Sequence, residues 1–239
     1  MSGPLVVIPT YDEAGSITAV VGALRAAVPV AHVLVVDDAS PDGTGDIADA
    51  LAAADPGVTV LHRPAKHGLG AAYRAGLGWG LRRGYQLLVT MDADGSHRPH
   101  DLPRLLAAMQ PGVGLVIGSR WVSGGAVQGW AWHRLLLSRG GNLYTRLALR
   151  LQVRDATSGY RVYRRGTLEQ LQLDDVRSQG YCFQVDMTRR TLAAGGMVVE
   201  VPIRFIERRN GVSKMSAPIV AEALWRVTRW GVEARLGRR

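Results

Sequence analysis

The sequence predicts an α/β fold: a mostly parallel central sheet with helices on both faces, and an amphipathic helix at the C-terminus. Three observations predict it. Short β-branched runs alternate with helical stretches over positions 1–120, each run ends in polar or glycine-rich residues, and one face of 217–236 is apolar. At 239 residues, 47% hydrophobic and 21% charged, the chain can bury a core of ordinary size.

Leu5–Ile8, Val33–Val36, Val58–Leu61, Leu87–Thr90 and Val113–Ile117 are rich in β-branched residues and bounded by turn formers, as strands are. Ser16–Ala27, Thr44–Ala54, Gly70–Arg82 and His100–Met109 lie between them with helical periodicity. A helix between successive strands returns the chain across the sheet, so neighbouring strands run parallel. Ligands of such sheets bind beyond the carboxyl ends of the strands. Polar residues collect there: Pro9-Thr10-Tyr11-Asp12-Glu13, then Asp37-Asp38-Ala39-Ser40-Pro41-Asp42-Gly43, Lys66-His67-Gly68-Leu69-Gly70, Asp92-Ala93-Asp94-Gly95-Ser96 and Gly118-Ser119-Arg120.

The second half differs. Trp130–Leu151 reads as a long helix with a break at Gly140-Gly141, and positions 134–165 hold eight arginines and one acid, Asp155. A strand at Tyr160–Tyr163, a helix near Val185–Ala194, and strands near Met197–Val201 and Ile203–Ile206 follow. In Ala217–Leu236, Ile219, Val220, Ala223, Leu224, Val227 and Trp230 share one helical face, with Arg226, Arg229 and Arg235 elsewhere. The predicted division is 1–216 as one domain and 217–239 as the basic amphipathic helix.

Asp92 and Asp94 are alternate residues of an extended segment and point the same way. Paired carboxylates of this kind suit a hard cation, Mg²⁺ or Mn²⁺, carrying a diphosphate. Acids two apart are also common as solvated turn residues or helix caps; the strand-end position and the neighbouring Asp37-Asp38 favour a site. Asp38, with Asp37, can accept from ribose hydroxyls or base edges, while Asp42 and Thr44 suit the cap of the following helix. Gly68-Leu69-Gly70 lacks the third glycine of a dinucleotide loop, Tyr73 standing there, and fits a helix start packed on the sheet. Arg120, Arg134, Arg208, Arg209 and Lys214 are phosphate-binding candidates, although taken singly each is more readily a solvent-exposed surface charge; Glu207–Lys214, basic with a central glycine, suits a loop folded over a diphosphate.

The net charge is +9, and arginine supplies all but Lys66 and Lys214 of the 29 basic residues. Arginine pairs bidentately with phosphate, so anionic partners are expected, although codon bias explains part of the preference. Nucleic acid is not expected: aromatics are only 6%, and acidic strand ends would repel a phosphate backbone. The single cysteine, Cys182, suits a buried thiol in a reducing compartment. The histidines show no metal-ligand spacing, and neither a signal peptide nor a transmembrane run is expected.

Ile8-Pro9-Thr10-Tyr11-Asp12-Glu13-Ala14, Val36–Thr44 and Met91–Pro99 together resemble the family-2 inverting glycosyltransferases of GT-A (Rossmann-like) fold. Gly118-Ser119-Arg120-Trp121, Asp155–Arg161, Gly180–Gln184 and Arg208…Gly211…Ser213-Lys214-Met215 narrow the resemblance to the dolichyl- and polyprenyl-phosphate mannose synthases, over positions 4–216. That resemblance implies GDP-mannose as donor and a polyprenyl (dolichyl) monophosphate as acceptor. It implies that Pro9, Tyr11, Glu13 and Asp38 contact the nucleoside, that Asp92, Asp94 and Ser96 serve metal and diphosphate, and that Arg208 and Lys214 close over the diphosphate. Arg120, Arg134 and Ser138 take the acceptor phosphate. Asp92, Asp94, Arg120 and Arg134 are thus the expected catalytic group. Two residues depart from the pattern: Asp12 where Asn is usual, and Ser96 where some members have a metal-ligating Gln.

An anionic acceptor needs no strong general base, so positioning and electrostatics are expected to supply the catalysis. Trp130–Leu151 and Ala217–Leu236 are expected to rest on a membrane surface, peripherally and on its cytoplasmic face, with room for a membrane-anchoring partner protein; packing of both on the core is the competing expectation. A polyprenyl-phosphate glucosyltransferase is the nearest alternative activity. A nucleotidyltransferase would use the paired aspartates but leaves the acceptor-side motifs unexplained.

Overall fold

In the computed structural model, residues 3–178, 180–207 and 217–237 are described, with the side chains of 181 and 217–220 outside that description. The elements run β1 (Leu5–Thr10), α1 (Ile17–Ala27), β2 (His32–Asp37), α2 (Thr44–Ala54), β3 (Val58–His62), α3 (Leu69–Arg82), β4 (Leu87–Thr90), a 3-10 turn at Pro99–Asp101, α4 (Leu102–Ala107), β5 (Val113–Ser119) and β6 (Ala126–Gln128). Then come α5 (Trp132–Leu149), β7 (Arg161–Arg164), α6 (Arg165–Gln170), a 3-10 turn at Leu173–Asp175, α7 (Gly180–Ala193), β8 (Met197–Pro202), β9 (Arg204–Ile206) and α8 (Ala217–Arg235).

Seven strands form one sheet in the order β3-β2-β1-β4-β7-β5-β8, parallel except for β7, which runs antiparallel to both β4 and β5. β6 and β9 make a separate parallel pair. Side-chain alternation divides the interior in two. Val6, Ile8, Val33, Val35, Val89 and Val116 face α1, α2 and α4 on one side, with Ile17, Leu24, Ala48 and Leu102. Leu5, Val7, Leu34, Val36, Leu88 and Leu115 face α3 and α7 on the other, with Tyr73, Leu77, Phe183 and Met187. A parallel sheet buried on both faces needs these near-continuous apolar strands. α3 lies close against its face because it turns glycines inward: a Cβ on Gly76 would come within 2.3 Å of Val7 Cγ1.

The chain lays β2 and β3 on one side of β1, then returns to place β4 on the other. The crevice beyond the carboxyl ends of β1 and β4 is therefore the switch point at which such sheets bind ligands. Asp92 stands two residues beyond the end of β4.

Four details differ from expectation. α5 passes unbroken through Gly140-Gly141, its inner side held by the buried Asn142 and Thr145. α7 begins at Gly180 rather than near Val185. The helix expected at His100–Met109 splits into a 3-10 turn and a short α4 with proline in its first turn. The β6–β9 pair, partly unforeseen, brings Ala126–Gln128 beside Arg204–Ile206.

α5 and α8 pack together: Tyr144 Oη and Thr228 Oγ1 are 2.5 Å apart, and a Cβ on Gly231 would lie 2.7 Å from the Ala148 carbonyl. Val227 reaches the core. Among the described residues, no helix is long and apolar enough to cross a membrane.

Candidate active site

A cavity of about 720 Å³ opens at the switch point. Its wall carries the acids Asp92 and Asp94 with His97, the bases Arg120 and Arg134, and the apolar side chains Leu136 and Leu137 of α5, Val185 of α7, and Leu224 and Val227 of α8. Acid, base and hydrocarbon surfaces thus meet around a single space.

Beyond β4, Ala93 is buried while Asp92 and Asp94 are half-buried, as alternation requires. Asp92 Oδ1 accepts a hydrogen bond from Tyr73 Oη at 2.7 Å. Burial, reinforced by the charge of Asp92, holds the Tyr73 phenol well above its ordinary pKa, so it remains a donor. The Asp92 N–H donates to His97 Nδ1 at 3.1 Å, which makes that nitrogen an acceptor and puts the ring proton of a neutral imidazole on Nε2. The 3.8 Å approach of the same nitrogen to Asp92 Oδ2 is then not a charge pair. His97 is buried, stacked on Tyr160 and edge-on to Phe205. Asp94 Oδ1 accepts from the Ser96 N–H at 3.0 Å, across Gly95 at φ +73°. Gly159 keeps the space beside the carboxylates open, since a Cβ there would sit 3.4 Å from both Asp92 oxygens.

These residues fit a hard divalent cation. Two carboxylates face one cavity, and two residues beyond Asp94 the buried Ser96 Oγ has no hydrogen-bond partner among the described residues. No group of three or more His, Cys, Asp or Glu gathers as a cation cage among the described residues, so a diphosphate would have to complete the ligand set.

Along the neighbouring rim, Asp37 is a structural brace: its carboxylate accepts from Thr10 Oγ1, Ser40 Oγ and Ser40 N. Asp38 Oδ1 pairs with Arg63 Nη1 at 2.5 Å, and both groups are largely buried. Asp42 accepts from Thr44 N and Ala14 N, and Thr44 Oγ1 accepts from Glu13 N, so the turn before α2 holds the first loop; the N-cap itself is Gly43, without a side-chain cap hydrogen bond, and not Asp42 or Thr44 as expected. Asp12 takes φ +58°, a left-handed conformation that Asp tolerates as Asn does. Tyr11 lies under Lys66, whose Nζ is 3.6 Å from the ring centroid. Pro9, Tyr11, Glu13 and Asp38 sit at the ends of β1 and β2, beside the cavity and not in its lining; Ser96 is also outside the lining. Arg208 and Lys214 lie outside the described residues.

Also on the cavity wall, Arg120 grips Asp155 through Nε and Nη2, both at 2.7 Å, and Nη2 also reaches Thr157 Oγ1. Burial alone would raise the Asp155 pKa, but the charge and hydrogen bonds of Arg120 hold it below the ordinary carboxylate value. Asn142 Nδ2 donates to Thr157 Oγ1 and to the Ser138 carbonyl, tying α5 to the same loop. Arg134 lies over Trp130, 4.1 Å from its ring centroid, and pairs with Glu207. Ser138 lines the cavity beside it. Cys182 forms part of the wall; burial pushes its thiol up to about 11, as expected of a packing residue.

The cavity therefore joins Asp92, Asp94, Arg120, Arg134 and Ser138, which the sequence singles out separately. Tyr73, His97, Arg63, Trp130, Phe205 and Glu207 are given no site role of their own in the sequence reading. His97 sits within the Met91–Pro99 motif and Glu207 opens the basic segment, so position hints at both; nothing local marks Tyr73 or Arg63.

Residues 5–172 match the family model described as Glycosyl transferase family 2. The polyprenol monophosphomannose synthase of Mycolicibacterium smegmatis is 55% identical over 98% of this chain and 89% of its own. The undecaprenyl-phosphate mannosyltransferase of Micrococcus luteus is 58% identical over 97% of this chain and 95% of its own. Among solved structures, glucosyl-3-phosphoglycerate synthase from Mycobacterium tuberculosis, in complex with UDP, matches 96% of this chain and 80% of its own at a TM-score of 0.72. At 20% identity that likeness speaks to the fold.

Proposed function

The chain belongs to glycosyl transferase family 2, and we propose that it moves mannose from GDP-mannose to a polyprenyl monophosphate, with inversion at the sugar. The observation that carries this reading is the cavity itself, in which paired carboxylates, two arginines and an apolar wall line one space. A phosphorylated lipid combines the charge and the hydrocarbon that the second and third of these suit. The names of the two mannosyltransferase relatives support the sugar and the acceptor.

In this reading Asp92 and Asp94, with Ser96, hold Mg²⁺ or Mn²⁺ and the donor diphosphate. The cation supplies charge neutralisation for the leaving nucleotide. Tyr73 and His97 keep Asp92 in place, and Pro9, Tyr11, Glu13 and Asp38 receive the nucleoside at the adjacent strand ends. Arg208 and Lys214 act on the diphosphate. Arg134 and Ser138 contact the acceptor phosphate. Arg120, fixed by Asp155, adds positive potential beside it. The acceptor oxygen is already anionic, so what the chain supplies is alignment with the anomeric carbon and exclusion of water.

The same reading places the protein peripherally on the cytoplasmic face of a membrane. α5 is inverted for a water-facing helix: its buried residues are Asn142 and Thr145, while Trp132 and Leu147 are 73% and 67% exposed. Trp132, Leu136, Leu143 and Leu147 fall within about 60° of helical arc, flanked along one side by Arg139 and Arg146. Such a face suits an anionic headgroup layer, as on the cytoplasmic leaflet. The proposed catalytic domain, 1–216, and the helical region, 217–239, work as one, because Ala223, Leu224 and Val227 of α8 wall the same cavity.

The test is a donor panel: labelled GDP-mannose, GDP-glucose and UDP-glucose, each with a polyprenyl phosphate. Mannolipid from GDP-mannose, lost in excess EDTA, is expected. Glucolipid as the main product would overturn the sugar, and full turnover in EDTA would overturn the metal.

A further inference from the structure

We propose that Glu207 is a stand-in for the acceptor's phosphate: its carboxylate neutralises Arg134 in the resting protein, and an entering phosphate monoester displaces it. This rests on the reading of Arg134 as an acceptor contact. The two arginines of the cavity differ in how their charge is met. Arg120 and Asp155 are 6% and 0% exposed and share three hydrogen bonds, counting that from the Arg120 N–H, so that pair is permanent. Arg134 is 16% exposed, but its partner Glu207 is 41% exposed and holds it by a single contact, Nη1 to Oε1 at 3.0 Å. A half-exposed carboxylate can turn into water at little cost.

The guanidinium itself is set to stay. Stacking over Trp130 fixes its plane, and its buried Nε has no hydrogen-bond partner among the described residues. Arg134 thus holds a donor in reserve that Glu207 does not use. Glu207 is delivered to this point by the β6–β9 ladder, its N–H donating to the Gln128 carbonyl at 2.9 Å. Gly129, at φ +91°, clears the way, since a Cβ there would come within 2.9 Å of Glu207 Cβ. A phosphate monoester brings nearly two charges and three acceptor oxygens and outcompetes one carboxylate; a singly charged phosphodiester gains much less. Glu207 therefore sets a threshold that favours dianionic acceptors.

Glu207→Gln keeps the shape and removes the charge. Steady-state transfer with the full chain is expected to show an acceptor KM about fivefold lower, with inhibition by inorganic phosphate strengthened about equally. The donor KM and kcat should stay within about twofold of wild type. Arg134→Gln, run alongside, should raise the acceptor KM. If it does and Glu207→Gln leaves the acceptor KM unchanged or higher, the stand-in role is overturned and the acceptor reading survives. If Arg134→Gln has no effect on the acceptor KM, both fall. Should Glu207→Gln not fold, Glu207→Asp, which shortens the reach to Arg134, is expected to move the acceptor KM down by about twofold, and an unchanged value overturns the proposal.

Discussion

The acidic and the basic residues of the cavity are held by opposite means. The Asp92 carboxylate is oriented by the uncharged Tyr73 phenol, while its main-chain N–H is held by His97 Nδ1. The arginines are oriented by carboxylates, Asp155 for Arg120 and Glu207 for Arg134, so positive charge is already partly met. A metal–diphosphate site needs uncompensated oxygen ligands. An acceptor site that must hold its cations in a half-buried apolar setting needs counter-ions until the substrate arrives. In the proposed reading, the difference separates a donor site from an acceptor site at which Arg134 exchanges Glu207 for the substrate phosphate.

The strongest way to break this comparison is at the donor site. Asp94→Ala is expected to lower transfer by on the order of a thousandfold while leaving the melting temperature of the free protein within a degree or two, because Asp94 is half-buried in a loop and outside the core. An activity assay paired with a thermal melt checks both parts. Asp155→Asn is next: it leaves Arg120 buried without a counter-charge, and denaturant unfolding should show a loss of roughly 3–5 kcal/mol. A loss near zero would mean that the pair is not a structural unit. Tyr73→Phe removes one hydrogen bond to Asp92 and should raise the metal requirement severalfold, about 1 kcal/mol, with the acceptor KM unchanged.

The smallest expected effect lies away from both sites. His32, at the amino-terminal edge of the sheet, bonds Tyr85 and Thr59, and burial followed by the charge of Arg25 lowers its pKa below 6.5. Between the lowered folded value and the ordinary unfolded one, the unfolded chain binds more protons, so stability rises with pH. It should be complete above about pH 6.5 and decline as pH falls towards the folded pKa. Melts of wild type and His32→Gln across pH 5–8 should converge at the acid end if this is so.

The acidic site was legible in the sequence because it is local: Asp92–Asp94 lie just beyond β4, and alternation alone aims both carboxylates together. The partners of the arginines were not, since Asp155 stands 35 residues from Arg120 and Glu207 stands 73 from Arg134. Only the fold makes such pairs. The parallel core followed from strand–helix alternation, but nothing in Arg161–Arg164 announces that it inserts antiparallel between β4 and β5. Gly140-Gly141 does not break α5. Glycine costs a helix about 1 kcal/mol per residue, and the burial of Asn142 and Thr145, with the Asn142 bond to Thr157 of the neighbouring loop, holds the helix against the body of the protein.

Separate titrations of donor and acceptor test the central claim most directly. Binding of GDP with Mn²⁺, and of a short-chain polyprenyl phosphate, would be measured by calorimetry on wild type, Asp94→Ala and Arg134→Gln. The account predicts a double dissociation: Asp94→Ala loses the nucleotide and keeps the lipid phosphate, and Arg134→Gln does the reverse. Loss of both ligands in either folded variant, or of neither, would contradict the division of this cavity into a donor site and an acceptor site.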